Sequence, residues 1–207
     1  MNIVSLNDHY DFKELSFTSP RNNVSGGQSV FIRVNDNKFM IRTMKCRLPF
    51  GVNENKGKKS IDLSIDQEKE KDFYKQLDVH ILNEAVKNSE VWFKKKLNET
   101  VVRELYKPTL RDNEKFPPLV RMSLPTNEDS KFIGEIYDMC ENIVGDDSLK
   151  IGSYVQVIAE LNGLYFVPKG FGLNWKIVQI KVFPIDKINI SGFAFLDEDT
   201  MDDAEPN

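Results

Sequence analysis

A chain of 207 residues with 40% hydrophobic content can bury one substantial core, or one domain carrying large insertions. It has no apolar run of membrane-spanning length and no basic-then-apolar leader, so a soluble, intracellular protein with no membrane association is expected. The formal charge of −4 argues against nucleic acid only until its distribution is read: Asp197, Glu198, Asp199, Asp202, Asp203 and Glu205 are six of the 32 acids, and without them 28 bases face 26 acids, a net of +2.

Residues 1–196 therefore read as one mildly basic domain and residues 197–207 as an acidic, disordered tail of the kind that serves as an interaction element. Cys46 and Cys140 stand far apart without CxxC or histidine companions, so reduced thiols are expected, with no metal site.

Along the chain, residues 1–12 have no clear period and read as an arm or a fraying edge. Residues 20–27 hold turn chemistry with Gly26 and Gly27. Residues 30–34 and 39–48 read as strands joined by the polar hairpin NDNK. Lys56, Lys58 and Lys59 flank Gly57 in a flexible basic loop, and a strand over 60–65 puts Ile61, Leu63 and Ile65 on one face. A helical insertion spans about 66–106: Asp66 is the expected N-cap of a first helix whose stripe is Phe73, Leu77, Ile81 and Ala85, and Asn98 caps a second that ends before Pro108. Trp92 and Phe93 read as packing residues, and Lys94, Lys95 and Lys96 as a solvated face.

Residues 107–118 read as a loop, 119–124 as a strand with Val120, Met122 and Leu124 inward, and 133–139 as a further strand or a helical turn. Asp146 and Asp147 read as a turn. The stretch 151–183 then alternates strictly at Val155, Val157, Ala159 and Leu161, and again at Val178, Ile180 and Val182. Between these two strands, LNGLYFVPKGFGLN reads as a loop rich in glycine, aromatic rings and lysine. Strands outnumber helices and do not alternate with them, so the fold class is mainly β with inserted helices, an α+β arrangement, built as an OB-fold-like antiparallel barrel.

Tyr165, Phe171 and Trp175, with Lys169 and Lys176 beside them, have the composition of a platform on which bases stack while ammonium groups meet phosphates; the alternative is that Phe171 and Trp175 fold back to cap a barrel end. Arg33, Arg42, Lys45, Arg47 and Arg121 sit on strands and supply a groove floor if several share a face. His9 and His80 lack companions. No Walker loop, GxSxG or HExxH motif occurs, so no enzyme and no cofactor are expected.

The order of these features resembles a known family. SIDLSI leading into an inserted helix, a later aromatic and basic segment, and an acidic end resemble the phage-type single-stranded DNA-binding proteins with an OB-fold. SPRNNVSGGQSVFIRV followed by MKCRLPFGVN is similar to the replication single-strand binders of large double-stranded DNA viruses. The resemblance implies a sequence-independent single-stranded DNA-binding protein of viral replication, recombination and repair, acting at the host-cell site of viral DNA synthesis. It also implies a tail that recruits a replicative polymerase or helicase, and it allows a homo-oligomer. Phage tails of this type finish on an aromatic residue, whereas this chain finishes on Ala204, Glu205, Pro206 and Asn207, with Phe193 and Phe195 before the acids. The competing expectation is a structural or virion-associated protein-interaction module with no nucleic-acid role.

Overall fold

Period-two alternation generates most elements, and residues that tolerate left-handed backbone decide where the chain reverses. The computed structural model describes residues 3–6, 9–23, 26–112 and 114–184. The first half holds β1 (Ile3–Ser5), β2 (Leu15–Phe17), β3 (Arg21–Asn22), β4 (Gln28–Val34), β5 (Asn37–Lys38), β6 (Met40–Arg42), β7 (Cys46–Arg47), β8 (Val52–Asn55) and β9 (Lys58–Ser64). Helices α1 (Glu68–Lys87), α2 (Ser89–Phe93) and α3 (Glu99–Leu105) follow. The second half holds β10 (Tyr106–Lys107), β11 (Leu110–Arg111), β12 (Leu119–Leu124), β13 (Glu135–Tyr137), β14 (Tyr154–Val167) and β15 (Gly170–Phe183). The protein is thus mostly β, an α+β fold with a mixed sheet: β12, β13 and β10 run parallel to β15, while β14 runs antiparallel to it.

β14 and β15 form one long hairpin, paired from Tyr154↔Phe183 to Val167↔Gly170. β7 pairs with both β14 and β9, β9 with β12, and β12 with β15 through Ser123↔Lys176. The hydrogen-bonded neighbours therefore run β7–β9–β12–β15–β14 and return to β7. Ile61, Leu63, Val120, Met122, Val155, Val157, Leu161 and Ile180 are all fully buried. The stripe of α1, Phe73, Leu77, Ile81 and Ala85, packs into the same core.

Several expectations change once the chain is folded. The expected loop over 161–174 is strand except for the turn at Pro168 and Lys169, because its glycines have a use inside the ladder. Gly163 sits where β4 crosses β14, and a Cβ there would lie 2.1 Å from the Val30 carbonyl oxygen. The ladder shifts register between Ile158 and Ala159, whose partners are Gln179 and Ile177. Val178 is the extra residue of that bulge, so Ile177 joins Ile180 and Val182 in the core in its place. The expected strand over 39–48 is interrupted, because the Thr43 hydroxyl accepts the Val157 N–H at 2.9 Å and replaces a ladder bond. Residues 107–118 contain the end of β10 and all of β11 where a loop was expected, and the expected arm contains β1, paired in parallel with β6. The N-cap of α1 is Gln67, one residue beyond Asp66.

Other expectations match. Asn98 caps α3 by accepting the Val101 N–H at 2.9 Å. The hairpin at NDNK is present but tighter than the four-residue loop expected: Asn35 (φ 49°) and Asp36 (φ 61°) make the turn, and Asn37 and Lys38 already pair with Val34 and Arg33. Among the described residues no helix is long and apolar enough to cross a membrane. The tail residues Asp197, Glu198, Asp199, Asp202, Asp203 and Glu205 lie outside the described residues.

Candidate nucleic-acid interface

Three separate segments bring basic side chains to one groove of about 1000 Å³. The first is the β8–β9 hairpin. Lys56 (φ 51°) and Gly57 (φ 73°) both take left-handed backbone, so the turn is tight and sets Lys56, Lys58 and Lys59 along the groove. The second is the wall from Lys107 to Asp112. Asp78 of α1 holds it in place, accepting from the Tyr106 hydroxyl (2.6 Å), the Thr109 hydroxyl (2.6 Å) and the Thr109 N–H (2.9 Å). Burial pushes the Asp78 carboxyl up, and those three donors partly offset the effect. Gly170 lets β10 reach β15, since a Cβ there would lie 2.3 Å from the Leu105 carbonyl oxygen.

The third segment is the strand face of β9, β12 and β15. Asp62 of β9 is 3% exposed and accepts from two arginines at once: Arg121 Nε (2.9 Å) and Nη2 (2.8 Å) from β12, and Arg111 Nη2 from β11. One carboxylate thus aligns two guanidinium forks that stay about half exposed to the groove. Lys59 is tied to the Ser130 carbonyl (2.6 Å) and to Asp146 (3.4 Å). Lys56, Lys58 and Lys107 enter no ion pair among the described residues. Six cations, Lys56, Lys58, Lys59, Lys107, Arg111 and Arg121, therefore meet three carboxylates, Asp62, Asp112 and Asp146, a local excess of three positive charges. The half-buried Tyr165 also lines this groove, with burial raising its phenol pKa.

The family model of a family of unknown function, DUF5871, matches residues 52–197, which include every residue of this groove. The chain belongs to that family. Uncharacterized protein L291 of Acanthamoeba polyphaga mimivirus is 26% identical to this DUF5871 chain over 184 residues, covering 80% of the chain and 30% of the viral protein. The chain thus spans less than a third of that relative's length. Among solved structures, a single-stranded DNA-binding protein from bacteriophage Enc34 is similar at 14% identity and a TM-score of 0.49, with 81% of this chain and 89% of that one covered. The single-stranded DNA-binding protein gp2.5 of bacteriophage T7 is similar at 14% identity and a TM-score of 0.48, with 82% and 97% covered.

Of the ten basic and aromatic residues expected to bind, the DUF5871 fold brings Arg121, Tyr165 and Trp175 to the groove. Phe171 is corrected: its ring is fully buried, stacked on Phe166 with centroids 5.5 Å apart and packed on Phe93 and Tyr106 at 5.1 Å, with no face open to a base. Trp175 is corrected in part. It lines the groove but is 2% exposed, held edge-on to Tyr74, so it forms the wall and cannot serve as a stacking platform in this conformation. Tyr165 and Phe166 divide as their adjacency requires, one to the groove and one against the core.

Lys169 is exposed at the hairpin tip and Lys176 lies mid-strand opposite Glu160; neither lines the groove. Arg33 stacks over Phe31 at 5.6 Å. Arg42, Lys45 and Arg47 lie on β6, just before β7, and on β7, and none of them lines the groove. The sequence did signal Lys56, Lys58 and Lys59 as a basic cluster. Arg111 carried no signal, because a two-residue strand has no period to read.

Proposed function

We propose that this protein binds single-stranded DNA without sequence preference, through the groove of an OB-like barrel. The carrying observation is the convergence of six cations from three segments on one recess with only three carboxylates. A flexible strand can enter a recess and place its phosphates there, whereas a stiff duplex must meet it as a rod. Tyr165 offers a ring to a base beside those cations. The return of the strand pairings to β7, with the helices inserted between β9 and β12, supports the barrel. Around this activity we place non-catalytic roles in viral DNA replication, recombination and repair, at the intracellular site of viral DNA synthesis. The acidic residues 197–207 would recruit a polymerase or helicase, and self-association along the strand is compatible with the design.

Titration with oligo(dT) over a series of salt concentrations tests the groove. Each neutralised phosphate contributes a log–log slope of about −0.7, so three to six contacts give a slope between about −2 and −4. Arg121→Ala or Lys107→Ala should lower affinity and flatten that slope by about one contact each. A protein that binds no single strand at low salt would instead fit the protein-interaction module.

A further inference from the structure

Two exposed cations that the groove leaves unused, Lys45 and Arg47, lie at the opposite end of the β14–β15 hairpin. Tyr154 opens β14, and its ladder partners are Phe183, which closes β15, and Arg47 of β7. Residues paired across a ladder project to the same face, so these three side chains share one surface. Lys45 Nζ lies over both rings, 5.1 Å from the Tyr154 centroid and 4.6 Å from that of Phe183. Tyr154 is 41% exposed, and Lys45 and Arg47 are exposed.

The pairing of one ammonium with two rings distinguishes this patch from ordinary surface. Neither Lys45 nor Arg47 enters an ion pair among the described residues, as Lys56, Lys58 and Lys107 of the groove do not either. The exposed Tyr154 ring, with two cations that enter no ion pair, suits a partner that has both a flat apolar face and a negative charge. A peptide of acids alone would satisfy the cations and leave the Tyr154 ring in water. A nucleotide satisfies both, its base on the ring and its phosphate on the ammonium or guanidinium.

Resting on the reading of the groove as a single-strand site, we infer that Tyr154, Phe183, Lys45 and Arg47 form a second contact for the same strand. Tyr154 and Tyr165 are eleven residues apart on β14, a path of roughly 36 Å at about 3.3 Å per residue when extended. A short oligonucleotide therefore occupies one contact, and only a longer one engages both. The strand leaves the groove and continues along the hairpin to its base.

Affinities of the full chain for oligo(dT) of about 4 and about 16 nucleotides, the two ends of the range that a single OB-type domain occupies, test this. The double variant Lys45→Ala with Tyr154→Ala should bind the longer oligonucleotide about tenfold more weakly and the shorter one within about twofold of the wild type. Lys107→Ala with Arg111→Ala should weaken both lengths. Should the patch variant bind both lengths like the wild type while the groove variant fails on both, the second contact is wrong and the groove reading stands. Should the groove variant bind both lengths like the wild type, the groove reading and this extension of it fall together. If Tyr154→Ala melts early, Lys45→Glu with Arg47→Glu leaves the rings in place and gives the same two comparisons.

Discussion

Phe171 and Tyr165 are both aromatic and both stand near lysines, yet burial gives them different work. Phe171 fills the space between Phe93, Phe166 and Tyr106, so Phe171→Ala should cost about 3 to 5 kcal/mol of stability through the cavity it leaves. Single-strand affinity per folded molecule should stay unchanged. Tyr165→Ala should show the reverse, with affinity falling by about 1 to 3 kcal/mol and only a small shift in melting. Calorimetry of both variants beside an oligo(dT) titration separates the two, and equal affinity loss in both would contradict the assignment.

A second residue sets how stability responds to pH. Glu70 is fully buried on α1, its Oε2 accepting from Cys46 Sγ at 3.5 Å, and it enters no ion pair among the described residues. Burial pushes its carboxyl from the usual 4.5 up to about 7. The folded state therefore holds a proton that the unfolded state releases between those values, and stability is lost as pH rises across that window. The loss is on the order of 3 kcal/mol. Denaturant unfolding at pH 5 and pH 8 should show it, and Glu70→Gln should remove most of the difference. An unchanged pH dependence in that variant would assign the effect elsewhere.

At the scale of elements, what was legible followed from period and from local chemistry. Strands β9, β12 and the outer parts of β14 and β15 alternate cleanly, and the stripe of α1 repeats every four residues, so both could be read directly. The Asn98 cap and the NDNK turn were legible because each acts within four residues. The centre of the long hairpin was not, because Gly163 and Gly170 look like loop residues until β4 and β10 are seen pressing against them. The register shift that moves Ile177 inward depends on the partner strand, which no single segment contains. The groove was half legible for the same reason: its lysines are clustered in sequence, but Asp62, Arg111 and Arg121 meet only when three strands are assembled.

The wall from Lys107 to Asp112, besides its pairings with β15 and β12, is tied to α1 by one such long-range contact, the three bonds to Asp78. Asp78→Ala should lower the melting temperature and, because Lys107 and Arg111 lose their fixed placement, also weaken oligo(dT) binding by several-fold. Asp78→Asn, which retains acceptor capacity and the side chain's shape, should recover part of both. A variant that melts earlier yet binds with full affinity would show that the wall needs no anchor.

For the whole molecule, the decisive quantity is the uneven distribution of charge between the body and its end. We propose that the six acids of residues 197–207 compete with phosphate for the groove, where three positive charges stand in excess. Being tethered, they have a high effective concentration near those cations, whatever conformation they adopt. Removing them changes the formal charge from −4 to +2. Deleting residues 197–207 should therefore strengthen binding to oligo(dT), most at low salt, where the Debye length is about 30 Å at 0.01 M, and little at 1 M, where it is about 3 Å. The same deletion should abolish recruitment of a replication partner such as a polymerase, because a tail released by DNA is then free to dock elsewhere. If the truncated protein binds single strands no better than the full chain at low ionic strength and still retains such a partner, the acids play neither part.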